Sequence, residues 1–457
     1  MSSSTRVASP PPRTAAQPVL PADLPPDLPA ASPAAPRRNA LARTFSGRRG
    51  QLRLLPLVAV LASLAFAALG ASAFADRRAA LADARAQADQ LVRVQGIEIS
   101  LARADALATN AFLAQENGPP PATLVRQYED AVSAASRAVA DAARAQTADG
   151  PALARVNDQL TDYTARIATA WSVRQDESTP TLATGYLGLA SQTLLREGML
   201  PALDAVTKAD AARVDDAFAA SDRAGLELLV TGGVVVLVLL LVGVRLALLT
   251  RRYVNVPLAA AVGLVVVATL VGALVMAAYQ SRSDTVRRTS YAATRALGDA
   301  RVTAYRAKAD ESITLIRQNF TLTESGYQDP AQQNIARVRQ QLQAARAAGA
   351  VPQPADPLAA WVTVHGQIID KVNAGQVGTA LELATGGSGT QSASNAAFAT
   401  FETSTRQLLD QQSAAVDGDV TSGGWLLVVL ALLALVVGVL AAAASWVGLS
   451  QRLEEYR

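Results

Sequence analysis

Four stretches of this chain are apolar on every face for about 20 residues or more: Leu54 to Ala75, Leu226 to Leu249, Val256 to Tyr279 and Trp425 to Leu449. Roughly 20 such residues are what a helix needs to cross the hydrocarbon core of a bilayer. A soluble core helix keeps a polar stripe, and these have none. The sequence therefore predicts an all-α membrane protein with four transmembrane helices, spanning 54–75, 226–249, 256–279 and 425–449. Glycines inside the spans (Gly70, Gly232, Gly233, Gly243, Gly263, Gly272, Gly438) predict close helix–helix approach.

Basic residues near the spans set the expected orientation. Arg37, Arg38, Arg43, Arg48, Arg49 and Arg53 precede the first span, Arg251 and Arg252 fill the turn at 250–255, and Arg452 and Arg457 follow the fourth span. The tail 1–53, that turn and the tail 450–457 are then cytoplasmic, in a multi-pass protein of a bacterial plasma membrane. Segments 76–225 and 280–424 are extracytoplasmic. Arg77 and Arg78 break the pattern, but they open a long segment, and long segments translocate largely regardless of charge. Ala73-Phe74-Ala75 before Asp76 resembles a signal-peptidase site. Against cleavage stand the length of the apolar run and the long tail before it.

The two halves read as copies. Leu55-Pro56-Leu57 and Val256-Pro257-Leu258 open the first and third spans, with proline expected in the first helical turn. Arg77-Arg78 and Arg287-Arg288 follow those spans, and Ala102-Arg103-Ala104-Asp105 matches Ala307-Lys308-Ala309-Asp310. Trp171 and Trp361 take corresponding places, and Gly232-Gly233 and Gly423-Gly424 mark the second and fourth spans. Each outer segment reads as four helices, punctuated by Gly and Pro at 118–121, 150–151 and 179–180 in the first copy, and at 326–330, 349–357 and 386–389 in the second. Leu153, Val156, Leu160, Tyr163 and Ile167 repeat at threes and fours, as do Val302, Tyr305, Ala309, Ile313, Ile316 and Phe320. Such stripes are the inner faces of helical bundles. The expected fold is two extracytoplasmic four-helix bundles in tandem duplication, whose first and last helices run on into the spans.

Composition narrows the chemistry. With no cysteine and one histidine, His365, multi-ligand metal sites and most His-based general-base catalysis are excluded, so neither cofactor nor metal is expected. Arginine is scattered rather than striped with aromatics, so no nucleic-acid partner is expected. Residues 1–53, rich in Pro, Ala, Ser and Arg, predict a disordered tail, and 37–53 should lie against anionic membrane lipid. Residues 22–29 admit a polyproline reading beside that of a plain flexible tail. Thr44 and Ser46 are possible phosphorylation sites there, since added negative charge would weaken the attachment. The short turn and tail on that face are too small for a catalytic domain, so an enzyme is not expected and any message must pass to a separate protein.

Candidate ligand- or partner-binding residues are Arg103, Asp105, Lys308 and Asp310, with Trp171 and Trp361. For the four charged residues, a solvated flank stands beside capture of an amino-acid-like zwitterion or docking of a charged partner. The tryptophans read as core packing or as a contact surface. His365 is in step with Leu358, Trp361, Ile368 and Val372, so it is either a hydrogen-bonded core residue or a pH-sensing one. Glu227 and Arg245 lie near the ends of their span and can snorkel to water.

A span, a helical bundle and a second span joined by continuous helices resemble the sensing half of bacterial chemoreceptors and sensor kinases. Thr250-Arg251-Arg252-Tyr253 and Gln451-Arg452-Leu453-Glu454-Glu455-Tyr456 look like the point where such receptors enter a HAMP module, which here does not follow. Two such units in tandem with a Pro/Arg-rich tail resemble the GlnX-type actinobacterial transmembrane sensor proteins. That resemblance covers 54–457 at the level of architecture and carries over no individual residue. It implies a relay of amino-acid (glutamate or aspartate) availability from a periplasmic solute-binding lipoprotein to a cytosolic Ser/Thr protein kinase of the protein kinase G type. A cell-envelope scaffold or assembly factor is the alternative function class; a transporter would need more polar residues in the spans. Homodimerisation is left open.

Overall fold

The computed structural model describes residues 48–115, 119–176, 178–250, 255–320, 330–349, 357–386, 392–421 and 424–454. They are helical throughout, with no strand among them. Residues 52–457 form one compact unit. Thr44, Ser46 and Arg251-Arg252 lie outside the described residues.

The first repeat begins with α1 (Arg48–Leu113), a single rod of 66 residues containing both the first span and the first bundle helix. α2 (Ala122–Ala145) and α3 (Gly150–Val173) follow. α4 (Pro180–Gly188) then passes through π-helical turns at Leu189–Met199 into α5 (Leu200–Thr250) without a break. Pro201 offers a reason for the wide turns. It has no N–H to donate and would crowd the carbonyl of Glu197 in a regular helix, and π turns relieve such a conflict without ending the rod.

The second repeat runs from α6 (Val256–Val286) through a π turn at Arg287–Tyr291 into α7 (Ala292–Phe320). α8 (Pro330–Ala347), α9 (Pro357–Asn373), α10 (Val377–Thr385), α11 (Ala393–Thr421) and α12 (Gly424–Glu454) complete it. Two details differ from the sequence expectation. Pro56 lies inside α1 because that helix already starts at Arg48, whereas Pro257 does occupy the first turn of α6. A further break, not expected, falls at 374–376, where Gly375 has φ +73° and separates α9 from α10; the expected break at 386–389 is also present. Gly386 ends α10 with φ +88°, a left-handed conformation open to glycine, while Gly188 in the first repeat stays helical at φ −61°.

Four helices are long and apolar enough to cross a membrane. Their packing depends on small residues, as expected in lipid. A Cβ on Gly438 would overlap Ala67, bringing α12 against α1, and one on Gly232 would overlap Thr269, bringing α5 against α6. Gly233 and Gly263 face open space and serve no such contact. Asn255 caps α6 by accepting from the Leu258 N–H, and its amide donates to the Gly448 carbonyl at 2.8 Å, tying α6 to the end of α12. Glu227 and Arg245 are exposed.

Outside the spans the first inward stripe forms core as the spacing predicts: Leu153, Val156, Leu160, Tyr163 and Ile167 are all buried in one cluster. Of the second, Val302, Tyr305, Ala309 and Ile316 are buried, divided between two clusters, and Ile313 is only partly so. The repeats do not keep separate cores. Leu315, Ile316 and Ile368 of the second repeat join the first repeat's cluster, and Ala102 and Ala106 of α1 join the second's. The first and last helices of the repeats thus lie in contact along a shared interface.

Candidate functional site

Two of the charged residues picked out by the sequence matches, Asp105 and Asp310, meet at that interface. Asp105 and Asp310, matched with each other in the sequence reading, are both buried and share one arginine. Arg196 Nη1 lies 2.5 Å from Asp310 Oδ1, and its Nη2 lies 3.8 Å from Asp105 Oδ2. The Ser191 hydroxyl and, at 3.3 Å, the Tyr163 phenol donate to Asp105 Oδ1. Asn334 donates to Asp310 Oδ2 at 2.7 Å. Burial raises the Asp105 carboxyl against the opposing effect of Arg196. Ser191 and Arg196 both come from the π-helical stretch.

A second network lies inside the second repeat. Lys308 Nζ contacts Glu311 Oε1 at 2.5 Å and donates to Ser394 Oγ at 2.6 Å. His365 Nδ1 sits 2.8 Å from Glu311 Oε2, and Trp361 Nε1 donates to Ser394 Oγ at 3.2 Å. Burial pushes Glu311 upward, but Lys308 and the hydrogen bond from His365 outweigh it and hold the carboxyl at about 2. Solvated flank charge therefore does not describe Asp105, Lys308 or Asp310. Only Arg103 keeps substantial exposure, 3.5 Å from Glu402 Oε1.

Between the repeats opens a cleft of about 540 Å³. α1 and α2 supply one wall, with Arg103, Leu107, Asn110 and Leu124. α7 and α11 supply the other, with Tyr305, Lys308, Phe398 and Glu402. Of the predicted residues the cleft brings together Arg103 and Lys308. Asp105 and Asp310 sit in the buried ion cluster instead. Trp171 and Trp361 are core residues that do not line the cleft. Trp171 stands edge-on to Tyr128 at 5.1 Å and donates to the Ala108 carbonyl, and Trp361 stands edge-on to Phe398 at 5.2 Å.

Ser191, Arg196, Asn110, Glu311, Ser394 and Glu402 are not singled out by sequence reasoning. One signal was available for two of them: Ala190-Ser191-Gln192 parallels Ala393-Ser394-Asn395 in the duplication. Both serines hydrogen-bond an acid on the first bundle helix of their own repeat.

These features define a class: a helical protein with four membrane-capable helices, three of which run without a loop into helical bundles that share a charged interface. Residues 80–219, from within α1 to within α5, match the model of a family described as Actinobacterial sensor domain. Neither a curated protein nor a solved structure matches the chain. The first repeat is thus similar to sensor domains of actinobacterial type.

Proposed function

We propose that the protein is a non-enzymatic transmembrane sensor and signal relay. An extracytoplasmic cue alters how the two repeats pack against each other, and the helices carry that change through the bilayer to a cytoplasmic partner. The observation that supports this most is helix continuity. α1, the α4–π–α5 rod and the α6–π–α7 rod each pass from the shared interface into a span without a loop. A helix displaced by 1–2 Å at one end moves at the other, and shifts of that size are a known mode of switching. In this reading both tails and the 250–255 turn face the cytoplasm, as the arginine distribution suggests.

The resemblance noted above supplies the finer reading. The cue is amino-acid availability, presented by a solute-binding lipoprotein, and the receiver is a Ser/Thr protein kinase. The test is deletion of the gene followed by measurement of kinase-substrate phosphorylation with and without added amino acids. A response that depends on the protein is expected, and an unchanged response overturns the relay.

A further inference from the structure

We infer that the cleft between the repeats itself binds a small organic acid carrying a hydrogen-bond donor, such as an amino or hydroxy acid. The inference deepens the sensor reading and rests on it for its biological meaning.

Charge favours an acid. On and immediately behind the lining, three bases (Arg103, Lys308, Arg406) face two carboxylates (Glu402, Glu311). Glu402 Oε1 is approached by two guanidiniums, Arg406 at 2.5 Å and Arg103 at 3.5 Å. The long contact and partial exposure of Arg103 leave its fork of donors available to a second carboxylate. A carboxylate there pairs directly with the Arg103 guanidinium.

Asn110 supplies the second requirement. It lies seven residues beyond Arg103 on the same face of α1, lines the cleft and is only 4% exposed. Its Oδ1 has no hydrogen-bond partner among the described residues. A buried acceptor left unpaired is costly, so an occupant that brings an N–H or O–H keeps Asn110 Oδ1 satisfied, whereas a donor-free aliphatic acid that displaces water from it does not. Ala106, Leu107, Leu124 and Phe398 form apolar walls between these polar ends. The volume suits a small molecule, since ligand pockets run from about 300 to 1,000 Å³.

The test uses the full chain purified into nanodiscs, with binding followed by calorimetry and thermal shift. Probes are 4-aminobutyrate and L-lactate, their donor-free counterparts butyrate and propionate, and inorganic phosphate. At least one donor-bearing acid is expected to bind, at least about tenfold more tightly than its counterpart. Whether the amino or the hydroxy acid binds identifies the donor. Arg103→Met should weaken binding about ten- to a hundredfold, with Arg103→Lys recovering part of it. Asn110→Leu should erase the preference for the donor while leaving residual binding of both acids. Unliganded melting temperatures confirm that these variants fold. The inference is overturned if no organic acid binds at millimolar concentration, if only phosphate binds, or if either Arg103→Met or Asn110→Leu behaves as wild type. Binding with unaltered kinase output would keep the site and remove the relay; a working relay with no binding would do the reverse.

Discussion

Glu98 offers a quantitative handle on the interface between the repeats. It lies on α1, nearly buried, with Thr207 donating to its Oε1 at 3.5 Å. Burial, then repulsion from Asp299, raises its carboxyl from 4.5 to about 7, with Arg306 only partly opposing. The folded chain therefore holds this proton more tightly than the unfolded chain. The associated stability is fully present below about pH 4.5 and is lost as pH rises to about 7. At about 1.36 kcal/mol per unit, that loss is on the order of 3 kcal/mol. Glu98→Gln keeps the shape and removes the ionisation. In nanodiscs, the melting temperature of the variant should match wild type at pH 4 and exceed it by several degrees at pH 8. Some decline with pH should persist in the variant, because burial also raises Asp299. An equal effect at both pH values would refute the reasoning, since it would show that shape and not charge decides the outcome.

Other perturbations separate the two buried networks and the membrane contacts. Arg196→Met strands Asp105 and Asp310 and should cost about 3–5 kcal/mol in thermal unfolding; adding Asp105→Asn and Asp310→Asn should recover much of it. Glu311 is held low by Lys308 and His365, so its contribution is present above about pH 4.5 and falls away toward pH 2. Glu311→Gln should abolish that acid-limb loss of roughly 3 kcal/mol while destabilising the protein at neutral pH. Gly438→Val forces α12 away from Ala67 and should lower the melting temperature, at a cost of about 1–3 kcal/mol, whereas Gly263→Val meets open space and should be close to neutral.

Much of the architecture was legible because its causes are local. An all-apolar run has no alternative to lipid, and the stripe from Leu153 to Ile167 fixes which face of α3 turns inward. The duplication pointed to Asp105 and Asp310 as a matched pair. Their shared partner was not legible: Arg196 is 114 residues from Asp310, and it sits in π turns that shift the helical register away from 3.6. The same long-range blindness hid Glu311, whose partner His365 arrives from another helix. Spacing placed His365 correctly on an inward face but not against a carboxylate. The break at Gly386 was signalled by its glycine-rich surroundings, yet only backbone conformation distinguishes it from the helical Gly188.

The central claim is that the interface between the repeats is mechanically joined to the far ends of the spans. The chain has no native cysteine, so spin labels can be placed at Leu57→Cys and Leu248→Cys, both exposed on their spans, without further engineering. The distance between them is then measured in nanodiscs with Arg196 intact and with Arg196→Met. The account predicts a displaced or broadened distribution, by about 1–2 Å or more, when the interface is loosened. Superimposable distributions from a variant whose interface is demonstrably destabilised would contradict it.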